Sequence, residues 1–274
     1  MSGPAKLPPL GFAHCLAGII RREALRWLNQ RGRFISALVR PLLWLAVFAA
    51  GFHFVLGVSI LPPYRTYIPY EVYIAPGLAA MVQLFAGMQS SLSMVYDREM
   101  GSMRTLLVSP FPRWFLLTGK LLAGVAVSIV QVYIFLAIAW FWHIRPPVTG
   151  YIAVLPALIL SGLMLGALGL LLSSFIKQLE NFAGVMNFVI FPMFFTSSAL
   201  YPLWRMQQAS LTLYWLAQIN PFTHAVELIR FALYDSINPI SALALCGYTA
   251  AFMAAAIIGY DPARGMLARR GAEG

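Results

Sequence analysis

The sequence predicts an all-α membrane protein with six transmembrane helices, and three observations carry that prediction. Of its 274 residues 60% are hydrophobic and only 10% are charged, where soluble domains carry roughly a quarter charged residues; the mean hydropathy is +0.76. Six apolar runs reach about 20 residues, the length that crosses a hydrocarbon core. Basic residues gather beside alternate runs, as cytoplasmic flanks do. The net charge of +10 is therefore read as a topology signal, and no nucleic-acid partner is expected.

Residues 1–35 are expected to form a cytoplasmic N-terminal segment. Within it, "GFAHCLAGIIRREALRWLNQRGR" has too short an apolar run and is too basic to cross a membrane. On a helical period Phe12, Leu16, Ile19, Ile20, Ala24, Trp27 and Leu28 share one side, while Arg22, Arg26, Asn29 and Arg33 share another. That pattern fits an amphipathic helix near 10–30 lying in the interface; the alternative is a basic flank that only sets topology. A cleavable signal peptide is not expected, because the first strongly apolar run follows this basic segment and lacks a short h-region.

The six-span domain is expected over 36–260, with spans at 36–56, 72–95, 121–142, 152–175, 182–200 and 241–260, then a tail over 261–274. One side collects Lys6, Arg21, Arg22, Arg26, Arg31 and Arg33, then Arg98, Arg104, Arg113 and Lys120, then Lys177, then Arg264, Arg269 and Arg270. The other side keeps Arg65, Arg145, Arg205 and Arg230. The positive-inside rule makes both termini and the loop at 96–119 cytoplasmic. In the second span Pro76 and Gly77 are placed to bend the helix. In the fourth, Gly162 and Gly166, with Gly169 beyond, allow a close helix approach; both features serve packing as readily as motion.

Between the fifth and sixth spans, residues 201–240 contain apolar pieces at 211–219 and 222–233 that are too short to span and have the size of re-entrant or interfacial helices. Asn220 followed by Pro221 is a helix-start signal, an N-cap with proline at the first helical position. The helix it opens would align His224, Glu227 and Arg230 along one strip.

No catalytic constellation emerges. His14, His53, His143 and His224 fall in separate segments without metal-ligand spacing. Ser90, Ser91 and Ser93 lack a Gly-x-Ser-x-Gly elbow. Cys15 and Cys246 are expected as free thiols. The carboxylates Glu23, Glu71, Asp97, Glu99, Glu180, Glu227, Asp235, Asp261 and Glu273 all fall at span ends or between spans. Ion-coupled carriers place ionisable groups at depth on the path, so a secondary carrier is disfavoured, as is a membrane-embedded lipid-modifying enzyme. Nor is there a phosphate-cradling Gly-x-x-x-x-Gly-Lys-(Ser/Thr) loop; uphill transport would need a separate ATPase.

The stretch "YDREMGSMRTLLVSP" punctuates this apolar chain with charge and helix breakers. Composition alone leaves it as either a solvated connector or a short helix presented to a partner. Continued as "YDREMGSMRTLLVSPFPRWFLLTGKLLAG", it resembles the Arg-Glu-x-Gly-(Thr/Ser)-x-x-x-Leu-x-x-(Ser)-Pro … Gly-Lys stretch of type-2 permeases of ATP-binding-cassette (ABC) transporters. "FFTSSALYPLW" followed by "NPFTHAVELIR" resembles that family's second signature. The resemblance covers essentially the whole chain and is most similar to permeases associated with pyrroloquinoline-quinone-dependent alcohol oxidation.

That resemblance implies a non-catalytic subunit of a bacterial inner-membrane exporter, working as a homodimer with two cytoplasmic ATPase subunits that bind ATP and Mg, its cargo being a lipid, a glycan-lipid or a drug-like molecule. It assigns coupling to the ATPase to Asp97, Arg98, Glu99, Gly101, Arg104 and Pro110, with Arg98 and Glu99 as ionic contacts. It makes the N-terminal amphipathic helix a connecting helix and places Asn220, Pro221, His224, Glu227 and Arg230 in the re-entrant signature. Met103 and Arg104 depart from the family pattern. For the pathway, Phe188, Phe191 and Phe195 share one face of the fifth span and are the expected lining; the alternative is an ordinary lipid-facing stripe.

Overall fold

The computed structural model describes residues 9–29, 31–52, 62–64, 68–99, 111–176 and 178–260. Among them the regular elements are helices: α1 (Pro9–Asn29), α2 (Arg31–Phe52), α3 (Tyr70–Glu99), α4 (Arg113–Phe141), α5 (Val148–Phe175), α6 (Leu179–Phe195), α7 (Leu203–Ala209), α8 (Leu211–Ile219), α9 (Pro221–Leu233) and α10 (Pro239–Gly259). The all-α membrane class read from the sequence is the class observed.

Among the described residues four helices are long and apolar enough to cross a membrane: Tyr70–Asp97, Trp114–Phe141, Val148–Phe175 and Pro239–Gly259. The first expected span falls on α2, whose described apolar portion is Leu38–Val47; residues 53–56 of that expectation lie outside the described residues. The fifth is shorter than expected. α6 ends at Phe195 and has 17 residues, about 25 Å at 1.5 Å per residue, against a core about 30 Å thick. Side chains and carbonyls beyond it find other partners: the Ser197 hydroxyl donates to the Phe194 carbonyl (2.7 Å) and accepts from the Ala199 amide (3.2 Å). The Ser198 and Leu200 carbonyls accept from Tyr73 and Tyr70 of α3 (2.9 and 2.8 Å). Local hydroxyl bonding and captured carbonyls compete with further helix.

The third span also starts earlier than expected. α4 begins at Arg113, behind Pro112 in extended backbone at the cap position. The described parts of the loop expected over 96–119 are thus helical on both sides, and 100–110 lie outside the described residues. Between α6 and α10, the expected pieces at 211–219 and 222–233 are α8 and α9. Asn220 caps α9 by accepting from the Phe222 amide (2.9 Å). Asn238 caps α10 in the same way, accepting from the Ser241 amide (3.1 Å) with Pro239 at the first turn.

α3 is the central helix, packed against α2, α4, α5, α6 and α9. Ile74, Leu78, Met81, Val82, Leu84, Phe85 and Met88 on it are almost completely buried. Burial on every side of a helix marks the middle of a bundle. A polar clamp joins it to α5: the Gln83 amide donates to the Leu158 carbonyl (2.7 Å), and the Ser161 hydroxyl lies 2.6 Å from Gln83 Oε1. Small residues set the spacing, since a Cβ on Gly87 would stand 3.1 Å from the backbone of Gly166. Gly77 packs at Ala199, where an added Cβ would meet the alanine Cβ at 2.7 Å; α3 remains helical through Pro76.

Gly150 is the tightest of these approaches, because a Cβ there would stand 2.0 Å from the Leu233 carbonyl oxygen. Gly150→Ala is expected to push α5 from the end of α9 and to cost about 2 kcal/mol, in the range of overpacked sites. Gly247→Ala, in open space within α10, is expected to be neutral or to stabilise by up to about 1 kcal/mol through helix propensity. Thermal unfolding of the two purified variants, in the same detergent as wild type, checks the contrast.

Candidate functional site

Two groups of candidate side chains gather at opposite ends of α3. At its C-terminal end, α1 lies across the start of α4. The Phe12 ring meets Phe111 and Phe115 edge-on at 5.2 and 5.0 Å, and Leu16 and Ile19 cover Gly119, where an added Cβ would be 3.2 Å from either. This apolar face is narrower than the sequence pattern implies, because Ile20 is exposed; the side chains of Ala24, Trp27 and Leu28 lie outside the described residues.

Beneath α1, Asp97 Oδ2 of α3 accepts from Lys120 Nζ of α4 at 3.3 Å, both groups buried. Two residues on, Glu99 is exposed. Two steps of a 3.6-residue helix rotate by about 200°, so the chain turns Asp97 inward and presents Glu99 outward. Of the residues assigned to coupling, Asp97 is thus held inside the chain and Glu99 is available to a partner. The Arg98 side chain, Gly101, Arg104 and Pro110 lie outside the described residues. The Arg22–Glu23 pair nearby (3.2 Å) is half exposed and contributes little.

At the N-terminal end of α3, Arg230 is 2% exposed. Its Nη1 donates to Glu227 one turn earlier, and its Nη2 donates to the Ser198 carbonyl at 2.8 Å. Its guanidinium lies 4.1 Å from the centroid of the Tyr73 ring. One arginine therefore joins α9, α3 and the turn after α6. Asn220 adds a second tie, its amide donating to the Met193 carbonyl (2.7 Å) and Thr196 Oγ1 (3.1 Å). His224 Nε2 lies 3.0 Å from the Gln218 carbonyl. A carbonyl only accepts, so Nε2 carries the hydrogen and Nδ1 is left to accept from the Ser241 hydroxyl at 3.5 Å. Burial pushes this imidazole below its ordinary value, opposed by the Gln218 carbonyl and Glu227. His224, Glu227 and Arg230, expected on one strip, all line one cavity of ≈ 350 Å³.

Phe188, Phe191 and Phe195 are all exposed on α6, Phe188 at 78%. Phe191 and Phe195 stack at 6.4 Å, and Trp44 of α2 meets Phe194 and Phe195 at 6.2 and 6.1 Å. With Leu43 and Val47 also exposed on α2, the two helices present an apolar face that lipid or a partner must cover.

Sequence reasoning missed three contacts. Lys120 was placed among topology-setting charges, whereas it is the buried partner of Asp97; a cation in one span at the depth of an anion in its neighbour was the available signal. Arg40 lies within the first expected span, its guanidinium 4.8 Å from the Phe85 ring centroid. Tyr73 gave no signal, since its partners are brought to it only by the fold.

Arg230→Leu is expected to cost about 3–5 kcal/mol, because it leaves Glu227 and the Ser198 carbonyl without their donor. Adding Glu227→Leu should recover a large part of that loss. Thermal unfolding of wild type, both single variants and the double variant measures the coupling; additive losses would contradict it.

Residues 15–234 match the family model described as ABC-2 type transporter. In Escherichia coli (strain K12), the protein described as "Probable multidrug ABC transporter permease YbhR" is 32% identical over 170 residues, which are 61% of this chain and 45% of that protein. The "Putative transport permease ycf38" of Cyanophora paradoxa is 28% identical over 228 residues, 80% of this chain and 74% of the relative. That of Porphyra purpurea is 25% identical over 222 residues, 79% and 72%. The matched stretch thus spans less than half of the Escherichia coli relative. With residues 15–234, most of its length, on the family model, the chain belongs to the ABC-2 type transporter family.

Proposed function

We propose that the chain is the membrane permease subunit of an ATP-driven exporter, with both termini on the cytoplasmic side of a bacterial inner membrane. Two copies form the pathway, and two separate ATPase subunits, holding ATP and Mg, dock at the end that carries α1 and Glu99. The observation that carries this reading is the build of that end. The buried Asp97–Lys120 pair fixes the last turn of α3 to α4, α1 braces α4 through Phe12, and Glu99 is left exposed. A charged group on a braced helix end suits a soluble partner that pushes on it.

The exposed face of α2 and α6 supports the dimer, since a chain of this size without an internal repeat encloses a path only with a symmetry mate. Phe188, Phe191 and Phe195 would then face the path. An aromatic lining suits a hydrophobic or amphipathic cargo: a lipid, a glycan-lipid or a drug-like molecule, the last in line with the multidrug description of the Escherichia coli relative. ATP-driven closure of the ATPase pair would move the segment after α3 and switch the cavity from inward-open to outward-open. In this scheme α8 and α9 are the re-entrant pieces on the outer side.

Co-purification with the candidate ATPase tests the docking end. Wild type and a tail control, Glu273→Arg, are expected to retain the ATPase. Glu99→Arg is expected to lose it, or to lose transport-coupled ATP hydrolysis, by at least about tenfold, the 1.4 kcal/mol scale of one ionic contact to a partner. Normal binding and coupling in Glu99→Arg would remove Glu99 from the dock.

A further inference from the structure

Arg40 is a charge at membrane depth that the transport reading leaves unused. It belongs to α2, and its guanidinium lies 4.8 Å from the centroid of the Phe85 ring. Phe85 is at the midpoint of α3, with 15 residues of that helix before it and 14 after, about 20 Å from either end at 1.5 Å per residue. The half-thickness of a hydrocarbon core is about 15 Å, so the cation stands near the middle. An arginine close to a span end reaches the headgroups with its stem; from this depth the stem is too short.

The chain offers this cation no acceptor. Arg40 is exposed, and among the described residues the Phe85 ring is its one partner. An aromatic ring attracts a cation but has no acceptor oxygen, so the guanidinium N–H donors remain open. A second copy does not supply the missing charge either, because all nine carboxylates of the sequence fall at span ends or between spans. Charges at such depth that are not paired within the protein face a water-filled cavity and mark the route of a solute.

The surroundings of Arg40 say what such a solute looks like. Leu43, Trp44 and Val47 follow it at helical spacing on the same side of α2. Leu43 and Val47 are exposed, and Trp44 carries the strip across to Phe194 and Phe195 of α6. The cation therefore stands at the N-terminal end of an apolar strip, and its planar fork of N–H groups matches a carboxylate or a phosphate. We propose that Arg40 is the binding residue for the anionic head, a carboxylate or a phosphate, of an amphiphile whose apolar body lies along Leu43, Val47 and the α6 phenylalanines. The inference rests on the transport reading and adds to it the sign of the charge on the solute and the residue that reads it.

The test titrates the full chain, in phosphatidylcholine nanodiscs, with fluorescent dansylaminoundecanoic acid at a pH that keeps its carboxylate ionised, and subtracts the signal of empty nanodiscs. Saturable binding is expected. Arg40→Gln should weaken Kd by about tenfold, and Arg40→Lys, which keeps the charge, by less than about threefold. The methyl ester of the same probe should bind wild type about tenfold more weakly than the acid and be indifferent to Arg40→Gln. Without probe, Arg40→Gln should keep or raise the thermal midpoint, because it removes an unpaired charge at depth; a merely structural arginine would lower it. Displacement of the probe by phosphatidylglycerol added to the nanodiscs assigns the site to a bilayer phospholipid, and retention assigns it to a separate solute; both uphold the anion site. No ATPase is present, so a failure of the docking reading leaves this result standing, and a failure here leaves the docking reading standing. An absence of saturable binding, equal affinity for acid and ester, or wild-type affinity in Arg40→Gln would each overturn the proposal.

Discussion

Arg230 organises one end of the molecule, because no other described group there ties together so many separate pieces of chain. Its guanidinium faces Glu227 on its own helix, the Ser198 carbonyl after α6 and the Tyr73 ring on α3. A cation so deep is tolerable only when its charge is paired and its N–H groups find acceptors. The requirement is mutual: the Ser198 carbonyl, freed by the end of α6, needs donors, and Tyr73 and Arg230 supply them. The early end of α6, the burial of the α9 arginine and the tyrosines at the start of α3 are therefore one arrangement.

From that end α3 runs as a single helix of 30 residues, about 45 Å long, to the buried Asp97–Lys120 pair. Along its length it is locked by small residues and by the Gln83 clamp to α5. Lipid supplies no hydrophobic drive between helices, so close backbone approach and polar clamps do the joining. A helix held in this way moves as a unit. Within the proposed function, a push near Glu99 would reach Tyr73, and through it Arg230 and the cavity, without any intervening loop.

What could be read in the sequence was whatever depends on local pattern. Long apolar runs gave the all-α membrane class, and Asn220-Pro221 opened α9 because capping is decided within four residues. The Phe12, Leu16 and Ile19 face of α1 followed from helical period, though Ile20 shows that period alone does not set how wide a face is covered. Other features depend on distant partners. The end of α6 was placed five residues late because Tyr70 and Tyr73 capture carbonyls 130 and 125 residues away. Asp97 was grouped with the docking charges because its partner Lys120 is 23 residues on, in the next helix. The cavity was invisible for the same reason, although its strip of His224, Glu227 and Arg230 was not.

In the proposed function two copies of this chain face each other across α2 and α6, and ATP at one end changes their separation. This is tested most directly by spin-label distance measurement in reconstituted vesicles containing the candidate ATPase. Cys15 and Cys246, the free cysteines among the described residues, are first replaced by serine, and Phe188→Cys is labelled on exposed α6. The account predicts a dipolar distance between the two copies that shifts when ATP is trapped on the ATPase. A labelled chain with no intermolecular distance, or one whose distance is the same with and without trapped ATP, would contradict it.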